Sequence, residues 1–144
     1  MKALILAAGR GSRFREMTKN RPKALIPVAG VPLLGRVLQG LKEAGIQEVW
    51  IVTGYKAEMI KKEFGNNYNG LKINYIYAPN WEKGNLYSLL AAQGIFKTRF
   101  LLCMCDHVFE PDLVKKLLNT NLKSTVILAV DKSRCLPEDT KVLE

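Results

Sequence analysis

Hydrophobic positions along the chain change period repeatedly, and each change marks an element. Ala3–Ala8 is a continuous apolar run, the pattern of a parallel strand buried on both faces. From Pro32 to 44, Leu33, Leu34, Val37, Leu38 and Leu41 fall on one helical face, with Gly45 placed to end the helix as its C′ residue. Val49–Thr53 is apolar and β-branched, a second buried strand. Lys56–Phe64 reads as a short amphipathic helix closed by Gly65, and Lys72–Tyr77 as a strand in which Ile73, Tyr75 and Tyr77 alternate with less buried positions. After a turn over Pro79–Gly84, Asn85 is set to cap a helix carrying Leu86, Leu89, Leu90 and Ala92. Phe100–Cys105 is another apolar strand that stops abruptly at Asp106-His107. Pro111 then opens a helix with Leu113, Val114, Leu117 and Leu118 on its apolar side, and Ser124–Val130 is a last strand. The predicted order, β-α-β-α-β-α-β-α-β, is that of an α/β layer with a mainly parallel sheet.

Length and composition sharpen this picture. A chain of 144 residues with no repeat, low-complexity tract or linker predicts one domain over 1–144. Hydrophobic residues at 48% and charged residues at 24% exclude a disordered or fibrous chain. No apolar run approaches the ~18 residues of a membrane span. The opening Met1–Gly9 resembles a secretory leader only superficially, because its apolar stretch is six residues long before Gly9 and a basic segment follows. A first strand in a cytoplasmic protein is the expectation. The three cysteines, Cys103, Cys105 and Cys135, are too few for a disulfide framework.

Charge narrows the partner. The net charge is +9, and residues 1–23 hold seven basic side chains against Glu16 alone, or +6 of that total. Clustering of this kind fits a bound polyphosphate better than a nucleic acid, for which no binding motif is present.

Open α/β sheets bind ligands beyond the carboxyl ends of their strands, and two such ends carry chemistry. The first is Ala7-Ala8-Gly9-Arg10-Gly11-Ser12-Arg13-Phe14, where Gly9 and Gly11 let backbone amides approach phosphate oxygens and Arg13 and Lys23 add positive charge. It is neither a dinucleotide fingerprint, since position 14 is Phe, nor a Walker loop. A glycine pair alone is also what an ordinary turn with solvated arginines would show. The second end is Asp106-His107. Asp106 is placed either to hold Mg²⁺ with phosphate oxygens and water or merely to cap the turn before the Pro111 helix, and His107, the only histidine, reads as structural. Cys103, Cys105 and His107 alternate and with Cys135 form a nominal Cys₃His zinc set. The C-x-C spacing inside an apolar strand speaks instead for core cysteines.

Together these segments are more specific than any alone. Leu6–Phe14, then Arg21-Pro22-Lys23-Ala24-Leu25-Ile26-Pro27-Val28, then Gly30-Val31-Pro32-Leu33-Leu34, resemble the opening of the sugar-phosphate nucleotidyltransferases. Glu82–Leu90 and Met104–Phe109 are similar to CTP:inositol-1-phosphate cytidylyltransferases, domains that stand alone or are fused to a membrane-embedded synthase. Bacterial choline-phosphate cytidylyltransferases share the glycine loop and part of the Asn-x-Tyr-Ser-Leu segment. The resemblance implies a Rossmann-like, GT-A-type α/β fold and a nucleotidyl transfer from CTP, or another NTP, to a small phosphorylated alcohol or sugar. It implies that Ala7, Ala8, Gly9, Gly11, Ser12, Arg13 and Lys23 hold the nucleotide, with Gly54, Tyr55, Gly84 and Asn85 near the base. Arg13 and Lys23 would serve catalysis, and Asp106 would bind Mg²⁺. Such domains run longer and supply a second metal-binding aspartate nearer their C-terminus, for which neither Asp131 nor Asp139 qualifies; a truncated chain is therefore expected. Two other readings compete: a hexose-1-phosphate nucleotidyltransferase using UTP, dTTP or GTP, and a non-catalytic nucleotide-binding domain.

Overall fold

A computed structural model describes residues 1–120 and 126–130, apart from the side chains of 13–15. Among these residues seven strands and four α-helices follow in the order β1 (Lys2–Ala7), β2 (Pro27–Val28), β3 (Val31–Pro32), α1 (Leu33–Glu43), β4 (Glu48–Thr53), α2 (Ala57–Phe64), β5 (Asn67–Tyr68), β6 (Leu71–Tyr77), α3 (Asn85–Leu90), β7 (Phe100–Met104) and α4 (Pro111–Asn119). Five strands form one sheet in the order β5-β6-β4-β1-β7. β1 pairs in parallel with β4 on one side and β7 on the other, β4 pairs in parallel with β6, and only β5 runs antiparallel. The first strand of the chain is thus buried inside the sheet, which is why its apolar run is continuous: Ala3, Leu4 and Ile5 have no exposed surface.

Helices α1 and α2 seal one face. Leu34, Leu38, Leu41 and Ile60 meet Ala3, Ile5, Val49 and Ile51 there. α1 ends in a Schellman turn, with Ile46 N–H donating to Leu41 O at 3.0 Å and Gly45 N–H to Lys42 O at 2.9 Å. Gly45 takes φ 91°, as its predicted role requires. The opposite face is covered by α3 and the turn after it, where Leu4, Leu6, Val52 and Ala92 form a second cluster edged by Trp50, Phe96 and Met104.

Several boundaries differ from expectation for identifiable reasons. Lys56 adopts a left-handed φ of 49°, so α2 begins at Ala57 rather than Lys56. Gly84, at φ 108° and ψ −178°, occupies the N-cap of α3, and Asn85 is the first helical residue rather than a capping one. Two hairpins escaped prediction: β2–β3, turned by Ala29 (φ 47°) and Gly30 (φ 78°), and β5–β6, turned by Asn69 (φ 52°) and Gly70 (φ 89°). The expected strand over Ser124–Val130 is not formed where it is described. Residues 126–130 carry no regular structure, and Val126 and Leu128 are 72% and 62% exposed. A β-branched run makes a strand only when a ladder partner and an apolar face receive it, and among the described residues neither does so for 126–130. Among the described residues no helix is long and apolar enough to cross a membrane.

Candidate nucleotide site

The carboxyl ends of β4, β1 and β7 converge. The ladder continues past their last strand residues: Tyr55 N–H donates to Ala8 O at 2.9 Å, and Cys105 N–H donates to Leu6 O at 3.1 Å. These bonds bring the Ala8–Gly11 loop between the Gly54-Tyr55 turn on one side and Asp106 on the other. Ala7 and Ala8 are buried beneath it, whereas Gly9, Arg10 and Ser12 face solvent. The loop leads into a 3₁₀ segment over Ser12–Thr18, and the buried Thr18 hydroxyl donates to Gly11 O at 3.1 Å. Tyr55 ties the same segment down by donating its hydroxyl to Lys19 O at 3.1 Å.

Gly11 is the hinge of the loop for two reasons. It has φ 78°, a backbone state that L side chains rarely adopt, and a Cβ there would lie 2.6 Å from Cβ of Lys23. Without that carbon the Lys23 stem crosses directly over the loop, and its ammonium forms an ion pair with the Asp106 carboxylate. Both side chains are about a quarter exposed, at 24% and 27%. The Arg21-Pro22-Lys23 segment is held by a second 3₁₀ turn, Lys23–Leu25, whose Ala24 and Leu25 are buried in the α1 core. Lys23 therefore projects from an anchored turn, and Asp106 from the end of a paired strand.

The two predicted charged groups, 83 residues apart in sequence, are in contact. Asp106 presents one hard oxygen donor of the kind magnesium accepts, and phosphate and water would have to fill the ion's remaining positions. Among the described residues no cluster of three His, Cys, Asp or Glu side chains is formed. Cys103 and Cys105 lie in the α1-side core, and burial pushes both thiols up to about 12. The neighbouring Asp106 charge adds to that shift at Cys105, and Lys23 opposes it. Such thiols are protonated and inert at neutral pH. His107 is exposed, and Cys135, Asp131 and Asp139 lie outside the described residues, as does the Arg13 side chain.

Gly54 and Tyr55 do adjoin the loop, with a neighbour the sequence reading passed over. Trp81, in the 3₁₀ turn Trp81–Lys83, lies on Gly54 and tilts against Tyr55 with ring centroids 5.8 Å apart. The available signal was an aromatic residue in a connection leaving the carboxyl end of a strand. Gly84 and Asn85 follow and are exposed. Glycine at 84 is explained by its backbone angles, since a Cβ there would meet nothing within 4 Å.

Comparison with known proteins places the chain in a family and a fold. The pattern of the MobA-like NTP transferase domain matches residues 3–137. The chain is 39% identical over 81% of its length to CMP-5'-(3-aminopropyl)phosphonate synthase of Streptomyces rubellomurinus, of which the match covers 19%. It is 35% identical over 90% of its length to the bifunctional IPC transferase and DIPP synthase of Rubrobacter xylanophilus, covering 28% of that protein. The chain thus spans well under half the length of these relatives. Among solved structures, a UDP-glucose pyrophosphorylase complexed with UDP-glucose superposes on 81% of this chain and 51% of its own, at a TM-score of 0.69 and 25% identity.

Proposed function

Because the chain belongs to the MobA-like NTP transferase domain family, we propose that it transfers a cytidylyl group from CTP to a small phosphomonoester, inositol 1-phosphate above all, releasing pyrophosphate. The observation that carries this reading is the meeting of Lys23 and Asp106 across Gly11. An ammonium and a carboxylate at the rim of an amide-lined loop are what a metal–triphosphate complex requires: cationic charge for its phosphates and an oxygen donor for its ion.

In the reaction, an oxygen of the acceptor phosphate attacks the α-phosphorus in line, and the bond to the bridging oxygen of pyrophosphate breaks. Transfers of this kind need alignment and charge neutralisation rather than a covalent nucleophile. The amides of Gly9, Gly11 and Ser12 orient the polyphosphate, and Ala7 and Ala8 form the floor. Lys23 turns from Asp106 to the α-phosphate as negative charge builds there, and Arg13 takes up charge on the leaving pyrophosphate. Gly54, Tyr55, Gly84 and Asn85 border the base. Mg²⁺ bound at Asp106 would supply Lewis-acid polarisation of the phosphate oxygens. The product is suited to consumption by a fused or separate membrane synthase in a cytoplasmic setting.

The preference for cytidine is supported by the CMP-5'-(3-aminopropyl)phosphonate synthase among the relatives above, and the structural neighbour with UDP-glucose supports the uridylyl alternative. Thermal melts with Mg²⁺ and each of CTP, UTP, GTP, ATP and dTTP separate the readings. Ligand at ~100 times its Kd adds about 2.7 kcal/mol. A rise in Tm with CTP alone is expected. A rise with UTP alone would replace cytidine by uridine, and no rise with any nucleotide would overturn the nucleotide reading.

A further inference from the structure

A triphosphate held on the Gly9–Ser12 loop carries a sugar and base that must lie to one side of β1. On the β7 side the space belongs to Lys23 and Asp106. On the β4 side the strand end opens onto aromatic surface instead, formed by Tyr55 and Trp81 with 53° between their planes. The Tyr55 ring is already engaged: Arg10 and Lys56 place their charges 5.6 Å and 5.5 Å from its centroid, and its hydroxyl is bound to Lys19 O. Trp81 is the half-buried ring beyond it.

The place of that indole is set by a missing side chain. A Cβ on Gly54 would come within 2.4 Å of Trp81 Cγ and 2.6 Å of Cδ1. Gly54 is not among the glycines with left-handed φ, so turn geometry does not demand glycine there; contact with the indole does. Three residues after Trp81, Gly84 leaves open space where a side chain would project.

We propose that the Trp81 indole, seated on Gly54, is a stacking wall for the nucleobase. It contributes affinity for a nucleoside triphosphate over a bare triphosphate, and Gly54 is its positioning residue. Every base presents a π face, so this wall favours the presence of a base, and polar groups choose among bases. The inference rests on the nucleotide-binding reading above.

The protein has two tryptophans, Trp50 and Trp81. The Trp50 indole nitrogen has no hydrogen-bond partner among the described residues, so Trp50→Phe breaks no bond and leaves Trp81 as the one tryptophan, excited selectively beyond the tyrosine absorption. In that background MgCTP is expected to quench the emission and magnesium tripolyphosphate to leave it unchanged. By calorimetry in the wild-type background, Trp81→Ala weakens MgCTP at least tenfold with tripolyphosphate affinity unchanged. Trp81→Phe restores most of the loss, and Gly54→Ala reproduces it by displacing the ring. Circular dichroism melts establish that each variant is folded. Unchanged CTP affinity in Trp81→Ala overturns the inference. So does an equal loss for CTP and tripolyphosphate, because the ring would then act on the loop. If folded wild-type protein binds no nucleoside triphosphate, the underlying reading fails as well, and wild-type binding tells the two failures apart.

Discussion

The two faces of the sheet share their strands and differ in closure. Under α1 and α2, Leu34, Leu38, Leu41 and Ile60 are fully buried, and the anchored turn bearing Lys23 grows from that core. On the α3 side, Leu86 and Leu90 remain 64% and 49% exposed. The turn bearing Lys23 is therefore anchored in the sealed face, and Trp81 packs on the more open one. Rigid placement matters most where charge develops in the transition state, because reorganising dipoles at that moment raises the barrier.

Four experiments would break or sharpen this contrast. The largest effect belongs to Lys23→Ala, expected to lower kcat by roughly 10²–10³, the usual loss when one transition-state donor is removed. Near-normal turnover would remove Lys23 from the chemistry. Next is stability on the two faces. Leu38→Ala on the sealed face should cost about 2–5 kcal/mol by urea unfolding, and Leu90→Ala on the open face within about 0.5 kcal/mol. Equal losses would erase the distinction between the faces.

Gly84→Ala should cost about 1–3 kcal/mol, because φ 108° with ψ −178° is a backbone state essentially reserved for glycine. An unchanged melt would mean that the turn readily relaxes. The smallest effect is acid-dependent. Lys72 and Lys2, by bonding its carboxylate, hold Glu48 below the usual carboxylate range. Its folded pKa lies below its unfolded value of about 4.3, so its contribution is present above that pH and lost as pH falls through the folded pKa. Glu48→Gln should remove that contribution near neutrality and flatten the stability profile in the acid window, so that the two proteins converge at low pH. Parallel profiles for both proteins would dismiss the contribution.

Much of this was legible in the sequence, for physical reasons that also mark where reading stopped. The buried strands were visible because burial on both faces demands unbroken apolar runs, and the Gly45 cap because few residues tolerate its φ. Lys23 and Asp106 were each singled out by chemistry. Their contact was not readable, because it depends on β1 and β7 being neighbours, a matter of topology. The Asn69-Gly70 hairpin had a readable signal that went unused, since positive φ at both loop positions favours that pair. Residues 126–130 of the expected last strand show the reverse: composition alone does not make a strand. Trp81 was passed over because its significance lies in what Gly54 lacks, a relation invisible along the chain.

The central position of β1 also sets a timetable. Lys2 is registered against Glu48 on one side and Phe100 on the other, so β1 finds its second partner only after Phe100–Met104 has been made. Closing so distant a loop costs entropy before any contact rewards it, which slows folding of parallel topologies. Until then the apolar Ala3–Ala8 segment waits half-paired, a target for chaperones or for other nascent chains. β1 is thus fully paired only late in synthesis, when the strand leading to Asp106 arrives beside a partner made long before it.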